Sequence, residues 1–442
     1  INVPLVENNT NEQVYLYYGN DTLTSNSSIE EVFTYDTPQT VGYLVSNRTE
    51  TAGVNLVSLS NSNDIRVGSN SYSLNMMGTT SVSGLSMNDT VKATKPLHVE
   101  GADDSGDMIV PISWASETFI YDGMRAADDT FCMVSPWGTA SVNVSEGDGS
   151  SVQWSGSVDN TGTCVEQDIS ENVPVVINAS LPILVYHYGQ GGPQDGFALY
   201  PATSEDLYGG STSSDVHVGA GALGANVNVY GSSGGSGSTT LGAYGDDTTT
   251  GISTGNQGSG AAIKVTSDNI IGALQQADSD GTESSVLAPT KEFGTLFGSP
   301  YDMEYIVFVS QYPGVTCTVY NSGGTVGSVT TSTSSSENVA KAGGTGGLST
   351  TGPWRAECDG PVWGYYEEIT TVTDGDETNL FGYKQMRQYT YPEPTVSVAS
   401  SSQDYDVLAT NPDYFEWSNW FSETSGSTVS SPADNRYIQY KV

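Results

Sequence analysis

The chain has 442 residues, of which 51 are acidic and 13 basic, and its formal net charge is −38. A surface this negative repels phosphate backbones and anionic lipids, so the composition excludes nucleic-acid binding and disfavours membranes. It attracts divalent cations, and dissolved salt screens its repulsion from other acidic surfaces.

Strand and turn residues make up much of the remainder, with 51 Gly and 26 Tyr. No window of a dozen residues shows sustained 3.6-residue apolar periodicity. Alternating runs such as 140–144, 227–230 and 395–398 are common, and alternation is typical of half-buried strands. The sequence therefore predicts an all-β chain.

A proline-led apolar strand followed by an acidic turn recurs along the chain. It begins at Pro96, again at Pro182, in a weaker form at 269–271, and at Pro361. The starts lie about 86 to 92 residues apart, which indicates an internal repeat. We expect tandem antiparallel β-units of about 90 residues, either propeller-like or stacked sandwiches.

In chain order, the repeat divides the sequence into six predicted segments. These are an N-terminal strand segment 1–32, a short first β-unit 33–90, β-repeats 91–177, 178–263 and 264–354, and a final repeat with a C-terminal aromatic segment 355–442. Gly/Ser/Thr runs at 231–260 and 322–352 are predicted to be long surface loops. Flexible decoration is the alternative.

The four cysteines flank the ends and starts of repeats and show no zinc-type C-x-x-C spacing. Two disulfides in an oxidising compartment are expected, and buried free thiols are the alternative. Because the pairs occupy matching sites in alternate repeats, we predict Cys132–Cys164 and Cys317–Cys358.

Acidic turns are the recurring chemical feature. Oxygen ligands at alternate positions beside a glycine are what a calcium loop requires, although Asp-Gly is also ordinary turn chemistry. The candidate ligands are Asp103, Asp104, Asp107, Asp278, Asp280, Glu283, Asp374 and Asp376. Calcium is the candidate cofactor, ordinary acidic turns are the alternative, and no organic cofactor is predicted.

Seven N-x-S/T sequons indicate a glycosylated surface. In so Ser/Thr-rich a chain, roughly this many would arise by chance, but all lie in the first 180 residues. They are Asn8, Asn20, Asn26, Asn47, Asn88, Asn143 and Asn178.

Sequence patterns that suggest enzyme chemistry lack the structural context that this chemistry requires. The G-x-G-x-x-G match at 219–224 is followed by another strand rather than the helix that a dinucleotide site needs. His98, His187 and His217 show no converging metal spacing and are interpreted as satisfied sheet histidines. No H-E-x-x-H or G-x-S-x-G occurs, and we predict that the protein is not an enzyme.

Two end motifs resemble those of microbial surface proteins. The run YLYYGN at 15–20 resembles the strand closing a concanavalin-like module in archaeal and bacterial surface proteins, and RYIQY at 436–440 resembles a strand of the same proteins. The repeats resemble those of surface proteins related to the IgG-Fc-binding family. These resemblances imply an S-layer-like protein of a microbial, archaeal cell surface, with propeller-like or stacked units.

Aromatic end segments predict contacts between copies through strand addition, because apolar edges pair with other chains. The predicted assembly residues are Tyr15, Tyr17, Trp417, Trp420, Tyr437 and Tyr440. Neither end of the sequence resembles a natural terminus, so we expect a processed or longer chain.

The sequence predicts an extracellular structural protein that assembles with copies of itself into a cell-surface layer, sheath or filament. The alternative is an adhesin or viral spike that binds surface glycans through exposed aromatic side chains. No nucleic-acid partner and no membrane span are expected.

Overall fold

The computed structural model describes most residues between 38 and 380, and all of them belong to the unit Tyr35–Gln388. The described ranges are 38–45, 53–102, 109–123, 129–147, 149–167, 173–189, 197–210, 215–232, 235–246, 252–253, 262–276, 284–333, 339–344, 346–369 and 377–380. The predicted segment 1–32 and the aromatic end segment lie outside them.

The described residues form 32 strands and two short 3₁₀ turns, Ile112–Trp114 and Thr290–Glu292, so the fold is all-β as predicted. Alternation explains individual strands: in Ala140–Glu146, Ala140, Val142 and Val144 are buried while Ser141 and Asn143 are exposed. Side chains of successive strand residues point to opposite faces, so this pattern covers one face of a sheet.

The first sandwich, 39–111, contains eight strands in two sheets, ordered β4-β3-β6-β1-β8 and β5-β2-β7. The strands are β1 Gln39–Leu44, β2 Val54–Ser58, β3 Asn63–Val67, β4 Asn70–Leu74, β5 Thr79–Val82, β6 Thr90–Ala93, β7 Leu97–Gly101 and β8 Ile109–Pro111.

In the second sandwich, 116–198, one long strand, β14, belongs to both sheets. The first sheet is β12-β11-β14-β9, and the second is β13-β10-β14-β15. The strands are β9 Ser116–Gly123, β10 Asp129–Val134, β11 Ala140–Glu146, β12 Ser151–Val158, β13 Thr163–Gln167, β14 Val173–Gly189 and β15 Phe197–Ala198.

The third sandwich, 207–289, repeats the order of the first, with sheets β19-β18-β21-β16-β24 and β20-β17-β22-β23. The strands are β16 Leu207–Gly209, β17 Asp215–Ala220, β18 Ala225–Gly231, β19 Ser236–Leu241, β20 Ile252–Ser253, β21 Ile263–Ser267, β22 Ile271–Gln276, β23 Ser284–Val286 and β24 Ala288–Pro289.

The fourth sandwich, 294–380, repeats the second, and its long strand β31 serves both sheets, β28-β27-β31-β25 and β29-β30-β26-β31-β32. The strands are β25 Gly294–Ser299, β26 Met303–Ser310, β27 Thr316–Asn321, β28 Gly324–Thr330, β29 Ser332–Thr333, β30 Ala340–Gly343, β31 Trp354–Glu368 and β32 Glu377–Leu380.

The strand pairing shows that a two-sandwich arrangement occurs twice. The irregularity where β9 crosses β14 recurs where β25 crosses β31: the register goes from Ser116↔Ile183 to Thr118↔Asn178 in one, and from Gly294↔Val362 to Leu296↔Glu357 in the other. Both steps place five residues of the long strand against two of its neighbour. The first and second sandwiches together thus correspond to the third and fourth.

The three prolines that defined the predicted repeat stand at the same point of their sandwiches. Pro96 directly precedes β7, while Pro182 and Pro361 lie where β14 and β31 pass from the first sheet to the second. Neither Pro182 nor Pro361 has a register partner, which suits a residue without an N–H. The sandwiches begin several strands before these prolines, so the predicted boundaries at 91, 178, 264 and 355 fall inside sandwiches.

The Gly/Ser/Thr runs are not simply long loops. The run 231–260 contains β19 and β20, and the run 322–352 contains β28, β29 and β30. Strand pairing uses backbone groups that every non-proline residue carries. Small polar side chains can therefore form an outer strand that buries little.

The largest hydrophobic core includes residues of all four sandwiches, from Val41 to Tyr365. The third and fourth sandwiches each add a core of their own. Neighbouring sandwiches are in contact, and β25 of the fourth contacts β2 and β7 of the first. The four sandwiches therefore close into a ring.

Candidate functional site

All eight predicted calcium ligands and all six predicted assembly residues lie outside the described residues, so both predictions stand untested. Within the described ranges, no group of three or more His, Cys, Asp or Glu side chains is placed to hold a metal ion.

Of the seven sequons, Asn88, Asn143 and Asn178 fall among the described residues; Asn8, Asn20, Asn26 and Asn47 do not. Asn143 and Asn178 are exposed and lie directly opposite each other on β11 and β14. Asn88 is half-buried in a turn with φ of 90°. Two of the predicted glycan acceptors are thus neighbours on one open sheet face.

The structure joins the two predicted cysteine pairs, Cys132–Cys164 and Cys317–Cys358. The reason given for the pairing is wrong, however, because the two pairs do not occupy matching sites. Cys132 and Cys164 link β10 to β13 in the second sheet of the second sandwich, whereas the other pair links β27 to β31 in the first sheet of the fourth. Both pairs are directly opposed neighbours on adjacent strands, and this proximity determined the pairing.

A connected set of buried polar groups lies where the first sandwich meets the fourth. Glu100 of β7 is 3% exposed, and its Oε1 contacts Nε2 of His98 two residues earlier on the same strand. Oε2 accepts hydrogen bonds of 2.9 Å from the hydroxyls of Ser299 and Tyr366, which belong to β25 and β31. We call these four residues the Glu100 junction.

Further hydrogen bonds surround the Glu100 junction. The Tyr301 N–H donates to Ser299 Oγ at 3.0 Å, and the Tyr301 hydroxyl donates to the backbone oxygen of Gly101 at 2.5 Å. Asn55 of β2 in turn donates to the Tyr301 hydroxyl. These bonds hold Ser299 and Tyr301 in place beside Glu100, whose buried carboxylate needs the donors Ser299 and Tyr366 because an unpaired buried charge is costly.

The Tyr366 phenol is held in its protonated form. Burial, and after it the negative charge of Glu100, raise the pKa of Tyr366 well above its ordinary value. The Ser299 and Tyr366 oxygens also lie 2.7 Å apart. The Ser299 hydroxyl, the Tyr366 hydroxyl and Glu100 Oε2 thus make three close contacts, but the two hydroxyls have only two protons to donate. The charge of the carboxylate is satisfied when both protons are donated to Oε2.

Ser, His and Glu together suggest nucleophilic catalysis, but their order in space is different from that of a catalytic triad. A triad places the histidine between the nucleophile and the acid. Here Glu100 lies between Ser299 and His98, and Ser299 is fully buried. The arrangement can join two sandwiches; it does not activate the Ser299 hydroxyl through His98.

The equivalent contact between the second and third sandwiches uses different groups. Nδ1 of His217 on β17 lies 3.3 Å from Oδ2 of Asp122 on β9. Beside this pair, Ile120 of β9 packs against Gly219 and Gly272, where a Cβ at Gly272 would lie 1.8 Å from the Ile120 carbonyl oxygen. We call these five residues the Ile120 junction, which is sealed by close backbone packing.

The segments that connect the sandwiches converge on one another. Trp114, after the first sandwich, stacks on Trp363 of the fourth with ring centroids 6.4 Å apart, and meets Tyr200 edge-on at 5.0 Å. The hydroxyl of Tyr200, which follows the second sandwich, donates to Glu292, which follows the third, at 3.4 Å. Residues from the whole ring therefore meet in one aromatic cluster.

A crevice between the second and third sandwiches is lined by apolar residues including Ile120, Phe197, Leu199, Ile271 and Leu274. It encloses about 10 Å³, which is the space of about one water molecule. The crevice therefore has no room for an organic ligand.

The predicted sheet histidines find partners in different ways. His98 and His217 contact Glu100 and Asp122. The His187 ring packs among Tyr121, Phe131 and Phe197, with centroids 4.4 to 5.1 Å apart. Sequence reasoning missed the Glu100 junction, although His98 and Glu100 alternate on one face of an otherwise apolar strand.

Compared with protein-family models, with curated proteins and with solved structures, the chain finds no match. Among its described residues, no helix has the length and apolar character needed to cross a bilayer.

Proposed function

We propose that the protein is an extracellular structural subunit that assembles with copies of itself into a cell-surface layer, sheath or filament. The observation that carries this proposal is the closed ring of four sandwiches. Buried ionisable groups hold its sandwiches together at the two junctions: Glu100 accepts from Ser299 and Tyr366 of the fourth sandwich, and Asp122 contacts His217 of the third.

The two disulfides support the same role. They cross-link neighbouring strands of the second and fourth sandwiches, and they are compatible with an oxidising, extracellular compartment. By limiting the unfolded chain, disulfides that close 32- and 41-residue separations contribute about 3–4 kcal/mol each.

The acidity of the chain sets the conditions for assembly. Copies with a net charge of −38 repel one another until salt or bound cations screen the charge. We therefore propose that salt, and calcium at the acidic turns, promote assembly. Glycans at the exposed Asn143 and Asn178 would keep that sheet face in solvent.

The alternative, glycan binding by an adhesin or spike, depends on exposed aromatic side chains. Among the described residues, Tyr312, at 65%, is the one exposed aromatic residue. The described surface thus favours the structural role.

Electron microscopy of the full chain at high salt with millimolar calcium tests the proposal. We expect regular layers or filaments that dissolve when the salt is lowered. A chelator at constant high salt separates the two causes: dissolution indicates bound calcium, whereas persistence indicates charge screening. Monodisperse monomers at high protein concentration in all these conditions would contradict the structural role.

A further inference from the structure

The first sheet of each sandwich ends in an outer strand: β4, β12, β19 and β28. Within the described part of the chain, no strand pairs with their outer sides. Such an edge presents unpaired N–H and C=O groups, and proteins normally protect it with charges, prolines or bulges.

These four edges lack two of those protections. No residue of β4, β12, β19 or β28 is charged or a proline, although 14% of the chain is charged. The uncharged sequence extends well beyond three of the edges, from 67 to 88 around β4, from 218 to 245 around β19 and from 305 to 336 around β28. In so acidic a protein, these are stretches where another acidic molecule can approach without direct repulsion.

Bulges divide the four edges into two classes. In β12 the ladder to β11 skips Gln153, and in β28 the ladder to β27 skips Val326. A bulge twists an edge and interrupts further pairing. The ladders that hold β4 and β19 have no such shift, so these two edges remain regular and open to a further strand.

We propose that β4 of one copy pairs with β19 of the next copy by strand addition. We assign a second copy as the occupant: copies that each carry −38 can meet only through uncharged surfaces, and these two edges are uncharged. The two edges hold the same place in the first and third sandwiches, on different halves of the duplicated arrangement. Because the contact joins two different edges, it is heterologous, and it builds an open chain of copies when successive copies do not close into a ring.

This inference rests on the proposed function, because open-ended growth is what a layer or filament requires. It also makes each edge separately necessary. An isologous contact, β4 with β4 or β19 with β19, would stop at a dimer.

A charge placed in either edge tests the pairing. Ser73 on β4 and Ser238 on β19 are exposed. In Ser73→Lys the new ammonium group would lie opposite Asp64 on β3. A cross-strand pair of opposite charges is favourable, so we expect the variant to keep its fold. Ser157→Lys, on the exposed face of the bulged strand β12, is the matched control.

We expect Ser73→Lys and Ser238→Lys each to lower the sedimentable fraction at least tenfold at high salt, whereas Ser157→Lys assembles like the natural chain. An equimolar mixture of the two edge variants should give dimers and nothing larger, since β4 of the Ser238→Lys chain can still pair with β19 of the Ser73→Lys chain. Circular dichroism of each variant confirms that it is folded.

Each other outcome has a definite meaning. Normal assembly of either edge variant overturns the β4–β19 contact and leaves the structural role standing. Dimers of one edge variant alone indicate an isologous contact and overturn the open-ended pairing. A natural chain that stays monomeric overturns both the pairing and the proposed function.

Discussion

The Glu100 junction and the Ile120 junction hold the same place in the two halves of the molecule but are built differently. The first joins sandwiches through a buried carboxylate and its donors, and the second through an isoleucine against two glycines. At the Ile120 junction the glycines lie on β17 and β22 and face Ile120 of β9. At the Glu100 junction the glycine lies instead on β25, the strand equivalent to β9, where Gly298 packs against Leu59. Equivalent strand geometry thus tolerates two unrelated ways of sealing an interface.

The comparison implies that the Ile120 junction is sensitive to volume and the Glu100 junction to polarity. Gly272→Ala should have the largest effect, because its Cβ would meet the backbone of Ile120. We expect a loss of about 3 kcal/mol in the free energy of unfolding, measured by urea denaturation. Gly242→Ala is the control, since nothing lies within 4 Å of its Cβ. Equal stability of the two variants would show that the strands at this junction can separate freely.

Glu100→Ala should destabilise the other junction by about 2–3 kcal/mol, because His98, Ser299 and Tyr366 lose their shared acceptor in a buried site. Asp122→Ala, which removes one contact to the partly exposed His217, should cost about 1 kcal/mol. Urea denaturation of both variants measures the difference. If Asp122→Ala were the more damaging, the polar network would not be what seals the first interface.

Tyr366→Phe should cost about 1–2 kcal/mol at neutral pH, because Glu100 loses one donor. The raised pKa of Tyr366 means that its contribution to stability is complete below about pH 10 and is lost as the pH rises through the folded-state pKa. The stability difference between the natural chain and the variant should therefore shrink above pH 10. A difference that stays constant up to pH 11 would exclude this phenol as the cause, and Tyr312→Phe, at an exposed position, is the control.

The features that the sequence predicts correctly are those that depend on local pattern or on contact between neighbouring strands. Alternation predicted the strands, and the spacing of Pro96, Pro182 and Pro361 located the same strand position in three sandwiches. The disulfide partners were also predicted, although the matching sites invoked for them do not exist. Cysteines directly opposed on neighbouring strands pair whichever sheet they occupy.

The ring and its junctions could not be predicted from local pattern. Glu100 and Tyr366 are separated by 266 residues in the chain, and nothing in either segment specifies the other. The two halves share the register shift in which β9 crosses β14 and β25 crosses β31, but they use different residues at the junctions. The strand order therefore reveals the duplication, and the amino-acid sequence does not. The Gly/Ser/Thr runs were interpreted as loops because their strands bury few apolar side chains.

Closure of the ring through the Glu100 junction is the central claim, and amide hydrogen exchange tests it most directly. In the Glu100→Ala variant, amides of β7 and of β25 should lose protection together, while those of β9 and β22 at the Ile120 junction keep theirs. Faster exchange in β7 with unchanged exchange in β25 would contradict the claim, because the first and fourth sandwiches would then not be held together by Glu100.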